Sequence, residues 1–204
     1  RYPSDFDAVA AGAASVGQTL LHGVRMAMHP IVHRSADSYI PPEKYPLIHK
    51  AVLQACDAAD GLADGVVENP KRCRFDAKVL ECKGGDSSSC LTPAQVETVR
   101  SLYAPLKHPA TGMQLFPPLL QPGTELGWQT LAGPQPYGTA VDAYRYIVFK
   151  DPNWDWRRFN PATDIDLAVK VDGGIVGLAN PDLRPFFKRG GKLLMYHGWA
   201  DPQV

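Results

Sequence analysis

The chain has 204 residues, enough for one large domain or a domain and a half. Lys plus Arg number 21 and so do Asp plus Glu, so the formal net charge is zero. That balance, with no long Lys/Arg run, argues against a nucleic-acid-binding face, which needs basic side chains to displace phosphate counterions.

No apolar run approaches the ~18 residues of a membrane span. Aromatic residues spread along the sequence exclude a disordered chain. The 18 glycines and 19 prolines point to long, well-packed loops. The chain opens at Arg1 and closes at Val204, just after a strand-end loop, and reads as a piece of a longer protein. Any targeting signal is then expected outside it.

In chain order, Phe6 to Ala13 is small and apolar and predicts a buried strand. A long, loop-rich zone follows, from about Val16 to about Leu178. Within it, Leu20, Leu21, Val24, Met28 and Ile31 recur at three- and four-residue steps, predicting an amphipathic helix over Gln18–Val32. Pro41-Pro42-Glu43 opens a second helix that runs into Cys56. Thr92-Pro93-Ala94-Gln95 predicts a helix start with a capping box. His108 to Pro136 reads as mostly irregular and Val141 to Phe149 as helical.

The last zone, Asn180 to Val204, holds a short helix or turn over Pro181–Phe187 and a Gly190-Gly191 break. Lys192 to Gly198 then reads as a strand buried on both faces, as in a parallel α/β sheet. Ligands and catalytic groups gather at the carboxyl ends of such strands.

The densest polar feature is Asp57-Ala58-Ala59-Asp60-Gly61-Leu62-Ala63-Asp64-Gly65-Val66. Three carboxylates this close repel one another, and a hard cation such as calcium neutralises them with carboxylate, carbonyl and water oxygens. The glycines would let the Leu62 and Val66 carbonyls turn inward. The spacing is not an EF-hand, since position 12 from Asp60 is Lys71. A helix cap followed by two Asp-Gly turns is the metal-free alternative.

Four cysteines, Cys56, Cys73, Cys82 and Cys90, allow three pairings. Their spacing lacks the C-x-x-C pairs of a zinc site. A Cys56–Cys73 bridge would staple the acidic loop and Cys82–Cys90 would pin the Ser-rich stretch over Asp86–Ser89. An even set in one loop-rich zone indicates an oxidising compartment, with four buried thiols as the alternative.

The candidate for chemistry is His197-Gly198-Trp199-Ala200-Asp201-Pro202. A carboxylate just past a buried strand can orient a histidine and stabilise its imidazolium. In α/β-hydrolases the triad runs Ser, Asp, His, so Asp201 would need a Ser far upstream and a His downstream. His197 would line the pocket. Ala13-Ala14-Ser15-Val16-Gly17 half-matches a nucleophile elbow, but a Ser there is ordinarily a cap or turn residue. Trp128, Tyr137, Tyr144 and Tyr146 are aromatic groups that can stack on an aromatic acid, and Arg145 can hold a carboxylate.

Several segments resemble the tannase/feruloyl esterase family, which includes MHETase-like aromatic ester hydrolases. They are Tyr2 to Ala13, Cys56 to Arg74, Gly123 to Trp128, Asp151 to Asp155, Pro181 to Leu183, Gly190 to Lys192 and Tyr196 to Pro202. The resemblance covers essentially the whole chain in order. It implies an α/β-hydrolase core, residues 1–15 and 180–204, with a large, loop-rich inserted lid over residues 16–179. It further implies a secreted or periplasmic serine esterase acting on feruloyl, galloyl or similar aromatic esters.

By the same resemblance Asp201 is the triad acid. Asp57, Asp60, Asp64 and the Leu62 and Val66 carbonyls hold a structural calcium, and the bridges are Cys56–Cys73 and Cys82–Cys90. The nucleophile is expected before Arg1 and the histidine after Val204, which sets Ser15 aside. The rest of the same hydrolase polypeptide is then the chain's partner, with neither nucleic acid nor membrane expected. The competing reading is a calcium-stabilised, non-catalytic binding or structural domain, and the flanking sequence would separate the two.

Overall fold

A computed structural model describes residues 4–177, 182–201 and 203. Pro181 and the expected boundary between residues 179 and 180 lie outside the described residues. Two strands, β1 (Ala8–Gly12) and β4 (Lys192–Tyr196), pair in parallel, with Ala8 opposite Lys192 and Gly12 opposite Tyr196. Between them the chain makes one long excursion through helices and turns.

Helix α1 (Gln18–Val32) has the bounds that the apolar spacing predicts. Gly17 stands before it with φ 68°, a left-handed conformation that costs glycine little. The helix buries Leu21, Val24, Met28 and Val32 on one face. At Pro42 the chain first makes a 3₁₀ turn, Pro42–Lys44, and then α2 (Tyr45–Cys56).

Helix α3 (Pro93–Leu102) carries the predicted capping box. The Thr92 hydroxyl accepts from the Gln95 amide, and the Gln95 side chain accepts from the Thr92 amide. The same Gln95 oxygen accepts from buried Lys44 at 2.9 Å, and Lys44 also pairs with Asp86 at 2.5 Å. A charge is tolerated inside because it is paired and hydrogen-bonded.

The stretch from His108 to Pro136 is more ordered than its Pro/Gly content predicts. It contains β3 (Gln114–Phe116), which pairs with β2 (Leu106–Lys107), a 3₁₀ turn over Glu125–Gly127 and α4 (Gln129–Ala132). The expected helix over Val141–Phe149 splits in two: α5 (Gly138–Asp142), then a π-helical segment, Ala143–Val148. The excursion closes with α6 (Asp164–Asp172), and α7 (Arg184–Lys188) leads into β4.

Two apolar clusters hold the excursion together, and α1 feeds both. The larger gathers Leu21, Val24, Ile48, Leu120 and Trp128. The smaller gathers Met26, Val141, Tyr144 and Trp154. Each fully buried aliphatic or aromatic side chain contributes ~1.5–3 kcal/mol, enough to hold elements of four or five residues that would not persist alone. Disulfides join Cys56 to Cys73 and Cys82 to Cys90.

One expectation is corrected. Neither strand of the parallel pair is buried on both faces: Leu194 is 62% exposed, Met195 54% and Tyr196 66%, and β1 is largely exposed as well. A two-stranded sheet has two open faces, and the apolar composition of β4 is not matched by layers packed upon it among the described residues.

Candidate active site

The β1–β4 pairing decides which loops meet. Both strands run the same way, so the segment after Gly12 and the segment after Tyr196 leave from one edge, and the Ala13 amide extends the ladder onto the Tyr196 carbonyl at 2.8 Å. Beyond that edge lies a cavity of about 300 Å³. Ala14, Val16, Phe116 and Leu119 supply apolar wall, while His197 and Asp201 supply polar groups.

A turn from the Asp201 amide to the Gly198 carbonyl, 3.1 Å, folds Asp201 back toward β4. One carboxylate oxygen, Oδ2, then lies 3.6 Å from His197 Nε2. The other, Oδ1, accepts the Gln203 amide at 2.8 Å. The histidine separation is too long for a hydrogen bond. A carboxylate with one oxygen fixed by backbone, on a residue that lines the cavity, is suited to orient an imidazole. Ser15 is exposed and does not line this cavity.

Trp199, two residues earlier, lines the same cavity and a second one of about 240 Å³ shared with Cys56, Asp60, Glu68 and Arg72. Lys71 Nζ sits 5.3 Å from its ring centroid, a cation–π contact. The acidic loop, stapled by Cys56–Cys73, therefore stands directly behind the strand-end loop.

Within that loop each carboxylate meets a backbone amide. Asp57 accepts from Gly65 at 3.1 Å, Asp60 from Leu62 at 2.8 Å and Asp64 from Val66 at 3.2 Å. The last two are the turn contacts short acidic side chains make, whereas Asp57 reaches an amide eight residues along the loop. Gly61 and Gly65 take φ 101° and 84°, so the Asp-Gly turns need glycine. Among the described residues no three His, Cys, Asp or Glu side chains converge closely enough to hold a metal ion. In kind the donors fit calcium: exposed oxygens from three acids within one short loop.

The sequence-predicted substrate residues do not share the Asp201 cavity, apart from His197. Trp128 is fully buried, edge-on to Tyr45 and Tyr103, with its indole N–H on the Thr124 hydroxyl at 3.0 Å. It is a core residue, and its assignment as a stacking surface is withdrawn. Tyr144 is likewise buried, stacked 6.0 Å from Trp154. Arg145 and Tyr146 lie on the π-helical segment, where the extra residue per turn re-aims side chains. Arg145 is 3.4 Å from Asp142, and Tyr146 is exposed.

Two residues of α1, Arg25 and His22, escaped the sequence reading. Arg25 of α1 is buried, its guanidinium 5.0 Å from the Tyr137 ring centroid, and it reaches the Gln203 carbonyl. One turn earlier on the helix, burial and then the nearby Arg25 charge push the His22 pKa down to about 4, so its imidazole is neutral at neutral pH. Arg25 stands inside the apolar stripe, between Leu21 and Met28, which is the signal that could have singled it out.

A parallel strand pair joined through a long helical excursion, with a histidine and a carboxylate at its carboxyl edge, narrows the class of protein. The model for the family described as "Tannase and feruloyl esterase" matches residues 1–204, and the chain belongs to that family. Among its relatives, "Probable feruloyl esterase B-1" of Aspergillus flavus is 35% identical over 207 residues, covering 100% of this chain and 39% of the relative. "Probable feruloyl esterase B-2" of Aspergillus terreus is 36% identical over 211 residues, again covering 100% and 39%. The crystal structure of feruloyl esterase B from Aspergillus oryzae superposes with a TM-score of 0.91 at 33% identity, over 100% of this chain and 41% of that one. The chain thus spans about two fifths of the length of the curated relatives it matches.

Proposed function

We propose that this chain supplies the triad acid and part of the substrate cavity of a serine esterase that hydrolyses aromatic carboxylic esters of the feruloyl or galloyl type. The observation that carries the reading is the placement of Asp201 at the carboxyl edge of the parallel pair, beside an apolar-walled cavity. Family membership supports the same chemistry.

In this reading residues 1–15 and 180–204 belong to an α/β-hydrolase core and residues 16–179 form its lid. Asp201 holds a histidine contributed by the rest of the polypeptide. That histidine takes the proton of the attacking serine and returns it to the departing alcohol, while Asp201 stays ionised and fixes the tautomer. The exposed apolar side chains of Phe6, Leu194 and Met195 favour cover by the rest of the same polypeptide. Two disulfides favour a secreted or periplasmic location.

Calcium is the structural cofactor of this reading, held by Asp57, Asp60 and Asp64 with the Leu62 and Val66 carbonyls. Its chemistry is charge neutralisation in the acidic loop. At a calcium concentration 100 times its Kd the gain is ~2.7 kcal/mol, and each kcal/mol shifts the melting point of a chain this size by ~2–4 °C. Millimolar calcium is therefore expected to raise the midpoint by several degrees over EDTA, and Asp60→Asn with Asp64→Asn to abolish the rise. Equal midpoints in calcium and EDTA would remove the metal from the account.

The function itself is tested with the polypeptide that includes the flanking segments. It is expected to hydrolyse methyl ferulate or methyl gallate, and the 204-residue chain alone to hydrolyse neither, for want of the nucleophile. A longer polypeptide inert toward a panel of small aromatic esters would leave the non-catalytic domain as the better reading.

A further inference from the structure

We infer that Arg25 is a positioning residue for the candidate acid, holding Asp201 in place through Gln203 from the far side of the loop. The inference rests on the reading of Asp201 as triad acid and deepens it.

Gln203 is the hub of a small network. Its amide N–H donates to Asp201 Oδ1 at 2.8 Å. Its carbonyl accepts two bonds from Arg25, 3.0 Å from Nε and 2.6 Å from Nη2. Its side-chain oxygen accepts from the Tyr137 hydroxyl at 3.0 Å. Donor, acceptor and side chain of this one residue are all engaged, and two of the three contacts come from the helical excursion.

Both ends are charge-assisted hydrogen bonds: a guanidinium donates to a neutral carbonyl at one, and a carboxylate accepts a neutral amide at the other. A guanidinium sharing one carbonyl between two N–H groups fixes that carbonyl in direction as well as distance. The peptide unit carrying it cannot turn without breaking both bonds. The Gln203 amide belongs to the preceding peptide unit and meets that carbonyl at one α-carbon, so fixing the carbonyl restrains the amide and the Asp201 Oδ1 that it reaches.

Arg25 is itself over-determined. Only 3% of its surface is exposed, it projects from the middle of a fifteen-residue helix, and Tyr137 backs its plane. A long cationic side chain enters an otherwise apolar stripe at the cost of its hydration. A purely apolar residue at position 25 would pack there without that cost. The charge is accounted for by what it reaches, the backbone two residues past Asp201.

The arrangement also joins the two parts of the molecule. Asp201 belongs to the loop after β4, whereas Arg25 and Tyr137 belong to the excursion between the strands. Movement of α1 against the sheet would be transmitted to the carboxylate through a single residue, Gln203. Displacements of about 1 Å in a catalytic array can lower turnover ~10²-fold even when the altered residue is remote from the reacting atoms.

The test uses the longer polypeptide. Arg25→Met, similar in length and apolar, is expected to lower kcat on methyl ferulate by ~10²-fold with KM changed less than about threefold, and Arg25→Lys to recover part of the loss. If Arg25 acts through Asp201, adding Arg25→Met to Asp201→Asn is expected to lower kcat no further. A kcat of Arg25→Met within twofold of wild type, or full additivity in the double variant, overturns the inference.

A second readout does not depend on turnover. Hydrogen exchange of the peptide spanning His197 to Gln203 is expected to accelerate in Arg25→Met while peptides from α2 and α3 stay unchanged. Unchanged exchange in that loop overturns the clamp even if the polypeptide proves to be no esterase. An inert wild type with accelerated exchange in the variant would overturn the esterase reading and keep the clamp as a loop restraint.

Discussion

Asp201→Asn, made in the polypeptide that includes the flanking segments, is expected to lower kcat on methyl ferulate by about 10⁴ without unfolding the chain. The asparagine keeps an oxygen to accept the Gln203 amide, so the loop geometry seen at 2.8 Å survives. What changes is the group facing the histidine: an amide N–H replaces a charged acceptor. The imidazole then settles in the wrong tautomer, its free nitrogen turned from the serine, and the developing imidazolium loses its counter-charge. Asp201 sits in a partly exposed loop and packs little, so the melting point is expected to stay within a few degrees. Turnover within tenfold of wild type would remove Asp201 from the triad.

Glu125→Ala is expected to have the largest effect on stability, a loss of about 3–5 kcal/mol in urea titration. The carboxylate is fully buried. One oxygen accepts from His49 Nδ1 at 2.7 Å, and the other from the Tyr103 hydroxyl and from the Gly123 amide at 2.7 Å. Burial, and then the Glu125 charge and hydrogen bond, raise the Tyr103 pKa well above its usual value, so that phenol remains a donor. Alanine would leave the Tyr103 hydroxyl and the Gly123 amide buried without their acceptor, each a desolvation penalty of ~1–3 kcal/mol. Glu125→Gln keeps an acceptor oxygen and is expected to lose less. A cost below ~1 kcal/mol for alanine would show that water replaces the carboxylate.

Local signals carried much of this architecture. The bounds of α1 follow from apolar spacing, and the start of α3 from Thr92, Pro93 and Gln95, because caps and amphipathic faces are written in contiguous residues. The disulfides could be anticipated since each links cysteines flanking one loop. The position of β4 was legible from its apolar run, but its burial was not, because burial depends on what else covers a sheet.

At the site, the strand-end motif led to Asp201 and His197, whereas the wall from Phe116 and Leu119 arrives through tertiary packing alone. Trp128 misled because an indole looks the same in sequence whether it lines a pocket or fills a core. Glu125 is the converse case: two of its three donors come from positions 49 and 103, which no local pattern connects to it. The turn of the π-helical segment was also invisible, since the residues of Ala143–Val148 fit an ordinary helix equally well.

The parallel pairing of Ala8 with Lys192 fixes an order of events during synthesis. At 5–20 residues per second, β1 leaves the ribosome roughly 10–40 s before its partner exists. Closing so long a loop in an unstructured chain would cost about 4–5 kcal/mol by the logarithmic scaling, and a helical excursion that folds first and brings its two ends together reduces that barrier. Meanwhile the β1 edge that will take β4 stands open, the condition in which strands recruit the wrong neighbour. Its sequence, Ala8-Val9-Ala10-Ala11-Gly12, is poor in the large apolar and β-branched residues that drive such association. The stickier member of the pair, Leu193-Leu194-Met195-Tyr196, is made last, when its template is already in place.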